Sequence, residues 1–123
     1  MANAINWFEI PASDFSRAKK FYQDILGVDF HIFTVEGTEM AFFPEDREQY
    51  GSCGSLIYEK GRKPSQEGTV VYLNAGDDLS EPLSKVEDAG GKVILPRTSI
   101  GENGFIAHFI DTEGNRVALH SMK

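Results

Sequence analysis

The chain has 123 residues, 12 basic and 19 acidic side chains, and a net charge of −7. This is the size of one domain, and its acidity without a long basic run argues against nucleic-acid binding. The single cysteine excludes an internal disulfide or a cysteine-rich metal site and fits a reducing compartment. No segment has the apolar length to cross a bilayer, and the first residues lack the features of a secretory signal. The expectation is a cytoplasmic protein with neither nucleic acid nor membrane among its partners. An acidic field favours cationic ligands, though it also simply serves solubility.

Asn3 to Ile10 is rich in β-favouring residues and stops at Pro11, so it predicts a strand. Ser13-Asp14 offers helix-capping oxygens. Phe15, Ala18, Tyr22, Ile25 and Leu26 then recur at helical spacing until Gly27 ends the run. Strands follow over 28–35 and 39–43, a loop over 44–54, and a short strand over 55–58. Residues 59–68 carry Gly61, Pro64, Ser65 and Gly68 among charges and read as a linker. The small basic cluster Lys60, Arg62 and Lys63 within it reads as solvated surface.

The order then begins again. Residues 69–74 predict a strand, and Asp77-Asp78 leads into a helix with Pro82 in its first turn. Leu79, Leu83, Val86 and Ala89 form its apolar stripe, and Gly90-Gly91 closes it. Strands over 93–95, 105–110 and 116–120 complete the chain, the last two forming a hairpin. Asp14, Phe15, Ser16 and Gly27 fall 64 residues before Asp78, Leu79, Ser80 and Gly91. An internal repeat of this kind fixes the architecture as α+β, with two βαβββ modules, about 3–58 and 69–121, in one domain over 1–123. Neither half can bury its helix and strands alone, so the halves share a core or pair with another chain.

The run from Ile10 to Gly27, strand-Asp-hydrophobic-Ser-x-Ala-x-x-Phe-Tyr followed by Leu-Gly, resembles the opening of the vicinal oxygen chelate superfamily. That superfamily includes glyoxalase I, bleomycin resistance proteins and extradiol dioxygenases. The stretch Phe109-Ile110-Asp111-Thr112-Glu113-Gly114-Asn115-Arg116-Val117 is similar to its closing strand-turn-strand signature. The resemblance implies paired modules forming a curved sheet around a cleft, and commonly a homodimer. It also implies a divalent metal held by His, Gln or Glu on the first and last strands of each module, where substrate oxygens chelate it. Carried onto this chain, those positions are Trp7, Ile57, Val71 and Ala118. None of these side chains is a ligand for such a cation, so no metal and no other cofactor is expected.

Strand alternation then suggests what lines the cleft. If Ala118 faces it, so do Arg116 and His120, and pairing Ile110 with Arg116 brings His108 opposite Ala118. Glu9 shares a face with Trp7, and Phe42 supplies an aromatic wall. The candidate ligand-binding set is Trp7, Glu9, Phe42, His108, Arg116 and His120. Glu9 and His108 are the candidate acid-base groups, because a carboxylate on an apolar strand and a histidine near neutrality both suit proton transfer. The competing assignments are structural. Glu9 pairs with Arg116 or Arg97, His108 simply lines a polar pocket, and His120 lies where chains fray. Trp7 either stacks on a planar ligand or fills the space of a metal. His31 and Cys53 read as an ordinary strand residue and an inert thiol.

Three functions follow. The leading one is a small-molecule binder without the usual metal. The second is a lyase or isomerase that uses Glu9 and His108 as acid-base groups or as ligands of a displaced metal. The third is an interaction module with a vestigial pocket.

Overall fold

The computed structural model describes residues 4–44 and 52–123. The first module runs β1 (Trp7–Pro11), α1 (Phe15–Leu26), β2 (His31–Val35), β3 (Thr38–Phe42) and β4 (Cys53–Glu59). The second runs β5 (Val71–Asn74), α2 (Ser80–Ser84), β6 (Lys92–Ser99), β7 (Phe105–Ile110) and β8 (Arg116–Ser121), with a 3-10 turn at Gly101–Asn103. Each module is a four-stranded mixed sheet, ordered β1-β4-β3-β2 and β5-β8-β7-β6. The first strand of each lies parallel to the last, and the other neighbours are antiparallel. The repeat read from the sequence is therefore present strand for strand.

Local chemistry explains the elements. The Asp14 side chain accepts the amide of Arg17 at 3.1 Å and starts α1. Gly27, at φ 65°, closes it by donating its amide to Gln23. The second helix is shorter than its apolar stripe predicts, ending at Ser84. Residues 85–91 continue as turns that mix bond spacings, such as Val86 to Leu83 and Gly91 to Val86. Strand β6 is longer than predicted and runs through Pro96. It lies at a sheet edge, and its pairing shifts register on either side of Leu95, where a missing donor is tolerated. Cys53 and Gly54, predicted as loop, belong to β4, and β1 and β2 begin later than predicted. Residues 45–51 of the predicted loop lie outside the described residues.

The hydrophobic core decides how the modules sit. Ile10, Ala41 and Leu56 of the first sheet share one cluster with Leu73, Phe109, Val117 and Leu119 of the second. Phe21, Tyr22 and Ile25 of α1, with Leu79 and Val86, fill the space between them. The rings of Phe21 and Tyr22 lie 5.7 and 6.3 Å from that of Phe109. The helix-bearing sides of both sheets thus meet in one core. Alternate strand residues, among them Trp7, Phe42, Tyr72 and Arg116, point the other way.

The turn after β7 fastens this arrangement. Tyr22 donates its hydroxyl to Asp111 at 2.7 Å. Glu113 accepts the Asp14 amide at 2.6 Å and the Arg17 guanidinium at 2.7 Å. Asn115 donates to the Pro11 carbonyl at 2.7 Å and accepts the Ser65 amide at 3.1 Å. Burial pushes the Asp111 carboxyl above its ordinary range, against the pull of the bonds from Tyr22 and Asn115. Burial also acts upward on Glu113, but bonds from Arg17, Asp14 and Thr112 outweigh it and hold that carboxyl below its usual value. Both motifs that carry the family resemblance are therefore spent on joining the modules to each other.

Candidate functional site

The first sheet's outward face is aromatic. Trp7 meets Phe42 edge-on at 5.5 Å, and the rings of His31 and Phe33 stack against Phe42 at 6.0 and 6.1 Å. Glu9 pairs across β1 and β4 with Ser55, and Phe42 pairs with Ser55 from the other side, so all three share this face. The Arg62 guanidinium reaches Glu9 at 2.7 Å. The partner of Glu9 is therefore Arg62, not Arg116 or Arg97, and Arg62 is not the purely solvated residue that its neighbourhood in the sequence suggests. A turn explains the reach, since the Arg62 amide bonds back to the carbonyl of Glu59 at 3.0 Å. Ser55 is completely buried, and its hydroxyl has no partner among the described residues.

The second sheet's outward face is polar. The β7–β8 register sets His108 opposite Ala118 and Ile110 opposite Arg116. Arg116 Nε–H donates to His108 Nδ1 at 2.9 Å. The other ring nitrogen, Nε2, lies 2.9 Å from the hydroxyl of Tyr72, whose ring meets the imidazole edge-on at 5.3 Å. Burial, and then the charge of Arg116, hold His108 below the ordinary histidine pKa. His120 is fixed by a bond from Nε2 to the carbonyl of Asn103 at 2.6 Å, and β8 extends one residue beyond it to Ser121.

The six candidate residues thus fall into two groups. Trp7, Glu9 and Phe42 face outward from one sheet, and His108, Arg116 and His120 from the other, with the shared core between them. One chain does not bring them into a single cleft. A cavity of about 530 Å³ does lie at the seam between modules, lined by Phe8, Leu26, Phe43, Cys53, Leu73 and Lys85 among others. None of the six candidates lines it.

Two positions differ from those inferred from sequence. Val71 pairs with Val117 and packs against the core, whereas Tyr72, paired with Ala118, faces outward. The cause is a one-residue difference in phase. Ala12 and Ala75 make equivalent bonds, to Ile57 and His120, so the strands repeat one residue out of step with the helices. The same equivalence makes Ser55, not Ile57, the counterpart of Ala118. Tyr72 was the residue missed. Its signal was the alternation of apolar Val71 and Leu73 with polar Tyr72 and Asn74.

Comparison with known proteins gives the family. The model of the Glyoxalase/Bleomycin resistance protein/Dioxygenase superfamily matches residues 4–119. The chain belongs to that superfamily. A glyoxylase-like domain-containing protein of Didymella fabae is 32% identical over 119 residues, covering 94% of this chain and 91% of its own. The glutathione transferase FosA of Serratia marcescens is 25% identical over 129 residues, covering 98% and 82%. Among superfamily structures, glyoxalase I of Zea mays superposes with a TM-score of 0.70 at 23% identity, over 94% of this chain. This chain spans only 45% of the maize protein's length. The fosfomycin resistance protein FosX of Listeria monocytogenes gives a TM-score of 0.67 at 13% identity, over 98% and 91%.

The superfamily implies a metal, and the donors present do not fit one. By the strand equivalence the four positions are Trp7, Ser55, Val70 and Ala118, none of which suits such a cation, and Glu9 is taken by Arg62. Among the described residues, no three His, Cys, Asp or Glu side chains gather closely enough to hold an ion. Nor is any helix among them long and apolar enough to cross a membrane.

Proposed function

We propose that the chain is a small-molecule-binding protein of the glyoxalase and bleomycin resistance type that works as a homodimer without a metal. One observation carries the reading. The two groups suited to moving protons are already engaged, Glu9 by Arg62 at 2.7 Å and His108 at both ring nitrogens. A general base needs a free lone pair within reach of substrate. His108 has none, and Glu9, whose second oxygen stays free among the described residues, is held in an ion pair on the other sheet, away from His108. That favours binding over the lyase or isomerase alternative. The arrangement of faces supports the dimer. Trp7, Phe33 and Tyr72 are 41%, 46% and 49% exposed on faces turned away from the core. Apolar surface of this kind is normally covered. A second copy that lays its first sheet against the second sheet of its mate forms two clefts, each with Trp7 and Phe42 on one wall and His108 and Arg116 on the other.

The chain's single tryptophan, Trp7, reports on both claims. Sedimentation velocity is expected to give a dimer, with Trp7 emission shifting to the blue on association and responding saturably to small molecules that are not turned over. Untagged protein loaded with Mn, Fe, Ni or Zn and then desalted is expected to retain no stoichiometric metal. About one metal per chain, lost in Glu9→Gln, would overturn the reading in favour of an enzyme.

A further inference from the structure

Among the described residues, Arg116 is a cation without a carboxylate, and none of their ion pairs includes it. Its hydrogen bond instead goes to a neutral acceptor, and this fixes the rest of the chain of bonds. A guanidinium only donates, so His108 Nδ1 must be bare. A neutral imidazole with a bare Nδ1 carries its proton on Nε2. Nε2–H therefore donates to the oxygen of Tyr72 at 2.9 Å. The phenolic hydrogen of Tyr72 is then left for another partner.

The outward face of the second sheet consequently offers donors at both ends of the trio, the Nη groups of Arg116 and the O–H of Tyr72. His108, only 7% exposed, is the rigid link between them. The floor around the trio is apolar, with Ala118 directly opposite His108, and Leu95 and Ile110 paired to residues of the same group. A hollow of about 360 Å³ opens on the far side of Tyr72, lined by Asn74, His120 and Met122 and not by Arg116. A full positive charge, a second donor and an apolar surround match a ligand with one oxyanion on an apolar body.

We infer that Arg116 and Tyr72 form an oxyanion-recognition site, held in place by His108, and that the ligand is a small carboxylate-like anion. The inference deepens the binding reading above and rests on it. It also reverses what net charge suggests, since an acidic protein would draw in cations. Here the local pair outweighs the distant field, because screening weakens the field beyond about 10 Å but leaves contact charges intact. His108 is a positioning residue, not a base.

Three probes with the same ring and different charge test this: benzoate, benzamide and benzyltrimethylammonium, titrated into the dimer and followed by amide and histidine-ring NMR. Benzoate is expected to bind best, shifting Tyr72 and His108 signals saturably. Arg116→Gln should weaken benzoate by about tenfold or more, and Arg116→Lys should recover part of the loss, as a charge-assisted bond requires. Benzamide, which can accept a bond but carries no charge, should lose less affinity than benzoate in either variant. Tyr72→Phe should weaken benzoate by a smaller factor, and long-range nitrogen spectra of the free protein should show His108 protonated at Nε2. Preference for the cation, or a benzoate affinity unmoved by Arg116→Gln, would overturn the anion site while leaving a binding protein. If no probe of any charge moved a signal on either outward face, the binding reading would fail with it.

Discussion

His108 shows how one bond sets the character of a side chain. Arg116 occupies Nδ1, so a proton can reach that atom only by displacing the guanidinium. Burial and the neighbouring charge act in the same direction, and the folded protein disfavours the imidazolium. In the unfolded chain the group titrates near its ordinary value of 6.5. The unfolded state therefore binds the extra proton first as pH falls. The stability that neutral His108 contributes is complete above 6.5 and is lost as pH falls through the lower folded value. An NMR titration of His108 is expected to place its midpoint below 6.5, and the stability advantage of the wild type over His108→Gln should shrink in acid. A midpoint at or above 6.5 would mean that the Arg116 bond is not formed in solution. The register that puts His108 opposite Ala118 was legible from the five-residue turn. The Arg116 bond was not, since periodicity gives a face and not a partner.

Between elements, the connection that matters most is α1 against the turn at residues 111–115. The hydroxyl of Tyr22 is fully buried, and the phenol is pushed well above its usual pKa by burial and then by Asp111. Asp111 accepts from Tyr22, from Asn115 and from the amide of Glu113, which satisfies a carboxylate that has almost no contact with water. Removing one donor leaves part of that demand unmet. Tyr22→Phe is expected to cost about 1–3 kcal/mol at neutral pH, measured by urea denaturation. An unchanged midpoint would show that the bond contributes nothing. At this scale the sequence was informative about existence and poor about length. The helical spacing of α1 and its cap gave its bounds, whereas the stripe of α2 continues into turns of mixed spacing and an edge position lets β6 run through Pro96. The phase slip between Val71 and Tyr72 was harder to see. A strand of four residues holds only two full alternations, and a shift of one reverses every assignment.

For the whole molecule, the repeat could be read from the sequence, but the side on which the halves join could not. Helical and strand periodicities say which residues are buried, not whether a second module or a second chain buries them. Ile10 and Leu119 look alike in either case, and only their common cluster shows that the modules stand back to back. The long-range bonds of Glu9 to Arg62 and of Asp14 to Glu113 were out of reach for the same reason. This is also why the six candidate residues, read as one cleft, divide into two faces.

Because the modules stand back to back, the proposed two-fold dimer would confine a lesion on either face to half of each cleft. In a two-fold dimer, every cleft takes one wall from each copy. A copy carrying Trp7→Ala and a copy carrying Arg116→Gln would each be defective alone. Unfolded together in equal amounts and refolded, they would form mixed pairs with one cleft wholly wild type and one doubly impaired. About a quarter of all clefts would regain benzoate binding, the fraction that random pairing sets for a two-fold assembly. No recovery on mixing would mean that each cleft is built within a single chain. With recovery, two damaged versions of the gene would complement each other in one cell, although neither could support binding by itself.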